Sequence, residues 1–124
     1  MEKKPKKILI VDDERDILEC LTMILEEEGY SVVSTVNGEY LEKLPMDDLP
    51  DLILLDMLLS GKDGRELVKY LKTQKETRRI PVIMISAHPT ATASALEAGA
   101  DLFLAKPFDF SHLLDSVEKF ACTT

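Results

Sequence analysis

Short apolar runs recur along the chain at 8–11, 52–55, 80–85 and 102–105, and each is followed by a polar residue. Runs of this kind, without polar alternation, are what strands buried on both faces of a parallel sheet require. A fifth segment, 31–36, is rich in β-branched residues and completes the strand set as the second strand in the chain. Between the strands the spacing turns helical. Ile17, Leu18, Leu21, Ile24 and Leu25 form one stripe over residues 14–28, which Gly29 ends. Asn37-Gly38 turns the chain into a short helix through Leu44, and 45–50 is a loop. A third helix is predicted over 65–77 with Leu67, Val68 and Leu71 facing inward, and a fourth from Pro89 to Ala98, stopped by Gly99. That fourth segment is mostly small residues and alternates with period two. The last helix spans 110–120, with Phe110, Leu113, Leu114, Val117 and Phe120 on one face. Strand and helix alternating five times predicts an α/β fold. It is a single doubly wound, five-stranded parallel sheet with helices on both faces and right-handed crossovers.

All strands but the second end in a group capable of chemistry: Asp12 and Asp13 after the first, Asp56 after the third, Ser86 after the fourth, Lys106 after the fifth. In a parallel sheet these ends share one edge, where open α/β sheets bind ligands. Three carboxylates in one crevice repel, and a hard divalent cation such as Mg²⁺ resolves the repulsion with carboxylates, waters and phosphate oxygens. Phosphoryl transfer is the chemistry this set implies. Asp56 is the candidate nucleophile, Lys106 and Ser86 would meet the phosphoryl oxygens, and the metal would sit on Asp12 and Asp13, with Asp13 the stronger direct ligand. The alternative for Asp12-Asp13, capping the following helix, loses weight once the other strand ends are counted.

Composition narrows the partners. A net charge of -8 argues against nucleic acid as a direct partner. The basic start, Lys3-Lys4-Pro5-Lys6-Lys7, is followed by too short an apolar run for a signal peptide, and no stretch approaches a membrane span. The two cysteines, Cys20 and Cys122, have no metal or redox spacing, and Cys20 beside the first helix stripe reads as structural. A soluble protein of the cytoplasm is expected.

Taken together, segments 8–14, 51–56, Asp63-Gly64, 81–87, 99–101 and Lys106-Pro107-Phe108 resemble the receiver domain of two-component response regulators. The resemblance spans nearly the whole chain, with 1–6 as a basic tail, 7–121 as the domain and 122–124 as a C-terminal tail. It implies strand order 2-1-3-4-5 and phosphorylation of Asp56 by a sensor histidine kinase or a phosphotransfer protein. It also implies a Mg²⁺ site of Asp12, Asp13, Asp56 and the Leu58 backbone carbonyl, and a cis Lys106-Pro107 bond. Ser86 would move toward the phosphoryl group and Phe103 would follow it inward. The face of the fourth helix, fifth strand and fifth helix would then change its affinity for a downstream effector or an output domain; a dimer through that face is left open. His88 either touches the phosphoryl group or is a plain exposed loop residue. Ser60 and Lys62 depart from the family's usual proline and apolar residue, and the 86–106 span is about two residues short. Three rival functions are weaker. An aspartate-based phosphohydrolase would carry an acid two residues after the nucleophile, where Leu58 stands. A flavin or nucleotide binder would present a Gly- or hydroxyl-rich first loop. A phosphorylation-independent interaction domain would not need the intact acids.

Overall fold

The apolar runs form the strands, and both faces of each central strand are covered. In the computed structural model, which describes residues 5–59, 61–88 and 91–121, β1 spans Lys7–Val11, β2 Ser31–Thr35 and β3 Leu52–Asp56. A small hairpin, β4 (Leu58–Leu59) and β5 (Lys62–Asp63), precedes β6 (Val82–Ser86) and β7 (Leu102–Ala105). Five strands make one parallel sheet in the order β2-β1-β3-β6-β7. Without the hairpin strands this is the order 2-1-3-4-5.

Alternate strand residues serve opposite cores, which is why no polar alternation is visible in the sequence. Leu9, Val11, Ile53, Leu55, Val82 and Met84 face one side; Ile8, Ile10, Leu52, Leu54, Ile83 and Ile85 face the other. The second side is covered by α1 (Arg15–Glu27) through Leu18, Leu21 and Leu25, and by α4 (Phe110–Ala121) through Leu113 and Val117. The first side is covered by α2 (Gly64–Thr73), through Leu67, Val68 and Leu71, and by α3 (Thr92–Ala98) through Ala95. The edge strands β2 and β7 are only half-buried.

Four expectations need correction. The short helix through Leu44 is a 3-10 helix, Gly38–Lys43, started by the Asn37 side chain, which accepts the Glu39 N–H at 2.9 Å. The helix expected to reach Thr77 stops at Thr73. Thr77 is buried because the chain folds back there, its hydroxyl donating to the Leu71 carbonyl at 2.6 Å while the Ile80 N–H bonds the Thr77 carbonyl at 3.0 Å. That turn also delays the next strand, which starts at Val82 and includes Ser86 as its last residue. Cys20 is exposed rather than structural, since it sits off the α1 stripe. The fourth helix is observed from Thr92; Pro89 and Thr90, where its start was expected, and Ser60 lie outside the described residues.

At the rim where strands begin, carboxylates finish the ladders. Asp51 accepts the Lys7 N–H at 2.8 Å, and Asp101 accepts the Val82 N–H at 2.8 Å while pairing with Lys72 Nζ at 3.1 Å. Each closes an edge that the sheet itself leaves without a backbone partner.

Candidate functional site

At the other rim, the strand ends deliver Asp12, Asp56 and Lys106 into one cleft, with Asp13 and Glu14 beside them. Asp12 follows β1 directly and is almost wholly buried. Its Oδ1 accepts the Glu14 N–H at 2.9 Å and its Oδ2 accepts from Lys106 Nζ at 3.0 Å. Asp56 ends β3 at the middle of the sheet and is 7% exposed. Lys106 is brought in from the edge: its N–H bonds the Ser86 carbonyl at 2.8 Å, and the following peptide to Pro107 is cis, as expected. Its ammonium stands 3.7 Å from Asp56 Oδ2 and 3.8 Å from Glu14 Oε1 as well. One cation thus answers three acids.

It does not answer them fully. Burial first, then the charge of Asp12, pushes the Asp56 carboxyl from its ordinary 3.8 up to about 6, against the pull of Lys106 and a backbone hydrogen bond from Leu58. Burial also works against the charge of Lys106, but its bond to Asp12 and the surrounding carboxylates outweigh this and raise its pKa. The cleft is therefore short of positive charge. Asp12, Asp13 and Asp56 each offer a carboxylate oxygen, all within 4.8 Å of one another. An all-oxygen donor set of this size, with excess negative charge, fits a hard divalent cation.

The other expected residues lie around this cluster. Ser86 is buried, on the next strand, and its Oγ accepts the His88 N–H at 3.0 Å. His88 uses its backbone in that turn while its side chain is exposed. Phe103 lies opposite Met84 in the sheet, half-buried against the core beneath α2 and α3. Leu58 lies on the hairpin with an exposed side chain, so no acid stands where a phosphohydrolase would carry one.

Three contacts at the site were not read from the sequence, where Leu58 was named only for its carbonyl and Gly64 only within the Asp63-Gly64 motif. Glu14 reaches Lys106, Leu58 bonds the Asp56 carboxylate through its backbone, and Gly64 lets α2 start against the acceptor strand. A β-carbon at Gly64 would lie 2.7 Å from the Asp56 carbonyl oxygen and 2.9 Å from Met57 Cα. The Gly64 N–H bonds the Met57 carbonyl at 2.6 Å. Only glycine permits that approach.

Residues 8–118 match the family described as the response regulator receiver domain. The chain belongs to this family. Among curated relatives, it is 42% identical over 105 residues to the phosphate regulon transcriptional regulatory protein PhoB of Pseudomonas aeruginosa, covering 83% of this chain and 46% of that one. It is 35% identical over 115 residues to sporulation initiation phosphotransferase F of Bacillus subtilis, covering 93% of each. The receiver domain thus spans about half of PhoB and nearly all of the Bacillus protein. Among solved structures, response regulator protein TrrA from Thermotoga maritima, in complex with Mg²⁺-BeF, superposes with a TM-score of 0.82 at 33% identity, covering 93% of this chain and 98% of that one. As a receiver domain of two-component response regulators, the chain is a regulatory phosphoacceptor module. No helix among the described residues is long and apolar enough to cross a membrane.

Proposed function

We propose that Asp56 is the phosphoacceptor and that residues 7–121 act as one signalling unit of the cytoplasm. The observation that carries this is the approach of Lys106 Nζ to both Asp56 and Asp12, at 3.7 and 3.0 Å, in a cleft that still lacks positive charge. An Asp56 carboxylate oxygen attacks the phosphorus of a phosphohistidine, the P–O bond forms, and the P–N bond breaks to return imidazole to the donor. Lys106 then turns from the acids toward the phosphoryl oxygens. The Ser86 hydroxyl donates a hydrogen bond to one of them, and Phe103 packs into the space that this movement leaves. The face of α3, β7 and α4 changes with them, which alters affinity for an effector or output domain. When bound, Mg²⁺ supplies charge for the phosphoryl oxygens, held by Asp12, Asp13, Asp56 and the Leu58 carbonyl. The same cleft assists hydrolysis of the acyl phosphate.

The donor is a sensor histidine kinase or a phosphotransfer protein. An apolar recess of about 500 Å³, lined by Ile17, Ala87, Pro107, Phe108 and Phe110, opens beside Lys106 and suits the flank of a helix carrying the histidine.

Intact-mass spectrometry after incubation with acetyl phosphate tests the acceptor. One phosphoryl adduct is expected that requires both Mg²⁺ and Asp56, and is absent in Asp56→Asn. A folded wild-type protein that gains no adduct from acetyl phosphate or a phosphohistidine donor would instead be a phosphorylation-independent interaction module. A melting experiment tests the metal. Mg²⁺ at ten times its Kd stabilises by about 1.4 kcal/mol, so the wild type should melt roughly 5 °C higher, and Asp13→Ala should not. An unshifted wild type in millimolar Mg²⁺ rejects the site.

A further inference from the structure

Helix α3 is the most lightly anchored of the helices covering the sheet. Its buried side chains are Ala95 and Ala98, with Ala91 just before it, whereas α2 buries two leucines and a valine. No side chain caps its start. One long polar side chain does reach it from α2. Arg65 forks onto Asp63, with Nε at 3.0 Å from Oδ1 and Nη2 at 2.7 Å from Oδ2, and its remaining arm, Nη1, donates to Ser94 Oγ at 3.3 Å. The Ser94 hydroxyl in turn donates to the Ala91 carbonyl at 3.1 Å, at the N-terminal end of α3.

Asp63 is itself fixed to the acceptor loop. Its Oδ1 accepts the Arg65 N–H at 2.9 Å, starting α2, and its backbone is paired with Leu58 in the hairpin. Leu58 in turn bonds the Asp56 carboxylate through its backbone. A series of bonded groups therefore runs from the acid to α3 through Leu58, Asp63, Arg65 and Ser94. A cleft of about 380 Å³ lies between α2 and α3, lined by Asp63, Arg65, Ser94 and Glu97, and gives the guanidinium and α3 room to shift.

We infer that Arg65 is a positioning residue that couples the hairpin after Asp56 to helix α3, by a route separate from Ser86 and Phe103. The inference rests on the reading of Asp56 as phosphoacceptor. A new bonding demand at the Asp56 carboxylate moves Leu58, and with it the strand pair that carries Asp63. A guanidinium held at two points on one carboxylate turns with it as a plane, and a lysine ammonium does not. The receiving element responds because the side chains it buries against the sheet are alanines.

Amide hydrogen exchange of the full chain tests this, with and without Mg²⁺-beryllofluoride as the phosphoryl mimic. The set is wild type, Arg65→Gln, Arg65→Lys, Ser94→Ala and the Arg65→Gln/Ser94→Ala pair. Without ligand, α3 amides should exchange about fivefold to tenfold faster in each single variant. The pair should be no faster than either single, Arg65→Lys should not restore protection, and β3 should be unchanged. With the mimic, the wild-type change in α3 exchange should fall by at least half in the variants. Single variants within twofold of wild type, additive effects, rescue by lysine, or an undiminished response to the mimic would each overturn the coupling. If the mimic leaves wild-type melting unshifted, the acceptor reading fails and the coupling with it, while the ligand-free arm still decides whether Arg65 tethers α3.

Discussion

Gly64→Ala should lower the melting temperature by roughly 7 °C, one of two stability effects centred on the acceptor strand. Alanine is the better helix former by about 1 kcal/mol, and Gly64 is the first residue of α2, so propensity alone predicts stabilisation. Contact predicts the reverse. The added carbon would meet backbone atoms of Asp56 and Met57 at 2.7 and 2.9 Å, and backbone cannot swing aside as a side-chain tip can. Overpacking of this kind costs about 3 kcal/mol, which less the propensity gain leaves about 2 kcal/mol, or roughly 7 °C for a chain of this size. Because relief requires the end of β3 to move, phosphoryl uptake should slow as well. A variant that melts at or above the wild-type temperature would show that the approach is looser than 2.7 Å.

Asp56→Asn should do the opposite to the metal-free protein and stabilise it. The folded-state carboxyl titrates near 6, above its ordinary 3.8. Between those values the folded chain holds a proton that the unfolded chain has released, so stability falls as pH rises through that window. Below about pH 4 both forms are protonated and the variant gains little; above about pH 6 the wild type carries the full penalty. A shift of this size corresponds to about 2–3 kcal/mol. Melting curves from pH 4 to 8 in a chelating buffer should diverge over that range and then run parallel. Curves that converge with rising pH would mean the carboxylate is stabilised by its neighbours, contrary to the cleft's shortage of positive charge.

Most of this was legible because parallel-sheet geometry converts sequence order into spatial convergence. Once 8–11, 52–55, 80–85 and 102–105 are read as strands, Asp12, Asp56 and Lys106 must converge, and they do, with the Ser86 backbone bonded to that of Lys106. What could not be read was decided by contacts between segments distant in sequence or by backbone. The hairpin of Leu58–Leu59 and Lys62–Asp63 is too short to carry a periodic pattern. Thr77 looked like a helix residue because its hydroxyl bond to Leu71 depends on a chain reversal. Gly64 announced itself only as a glycine beside an acid; the carbonyl it must clear lies eight residues back. Cys20 was misjudged because it neighbours the apolar stripe of α1 without belonging to it.

Aspartates serve opposite ends of this sheet in opposite ways. Asp51 and Asp101 are fully committed to strand starts, whereas Asp12 and Asp56 oppose one another at strand ends. Wear on the two rims should therefore be separable. Lys75 and Arg79 lie exposed in the turn that closes the first rim, remote from the cleft by the length of a strand. A dye, a surface tether or a fused reporter attached there would leave the acceptor free, and so offers a handle for watching single molecules charge and discharge.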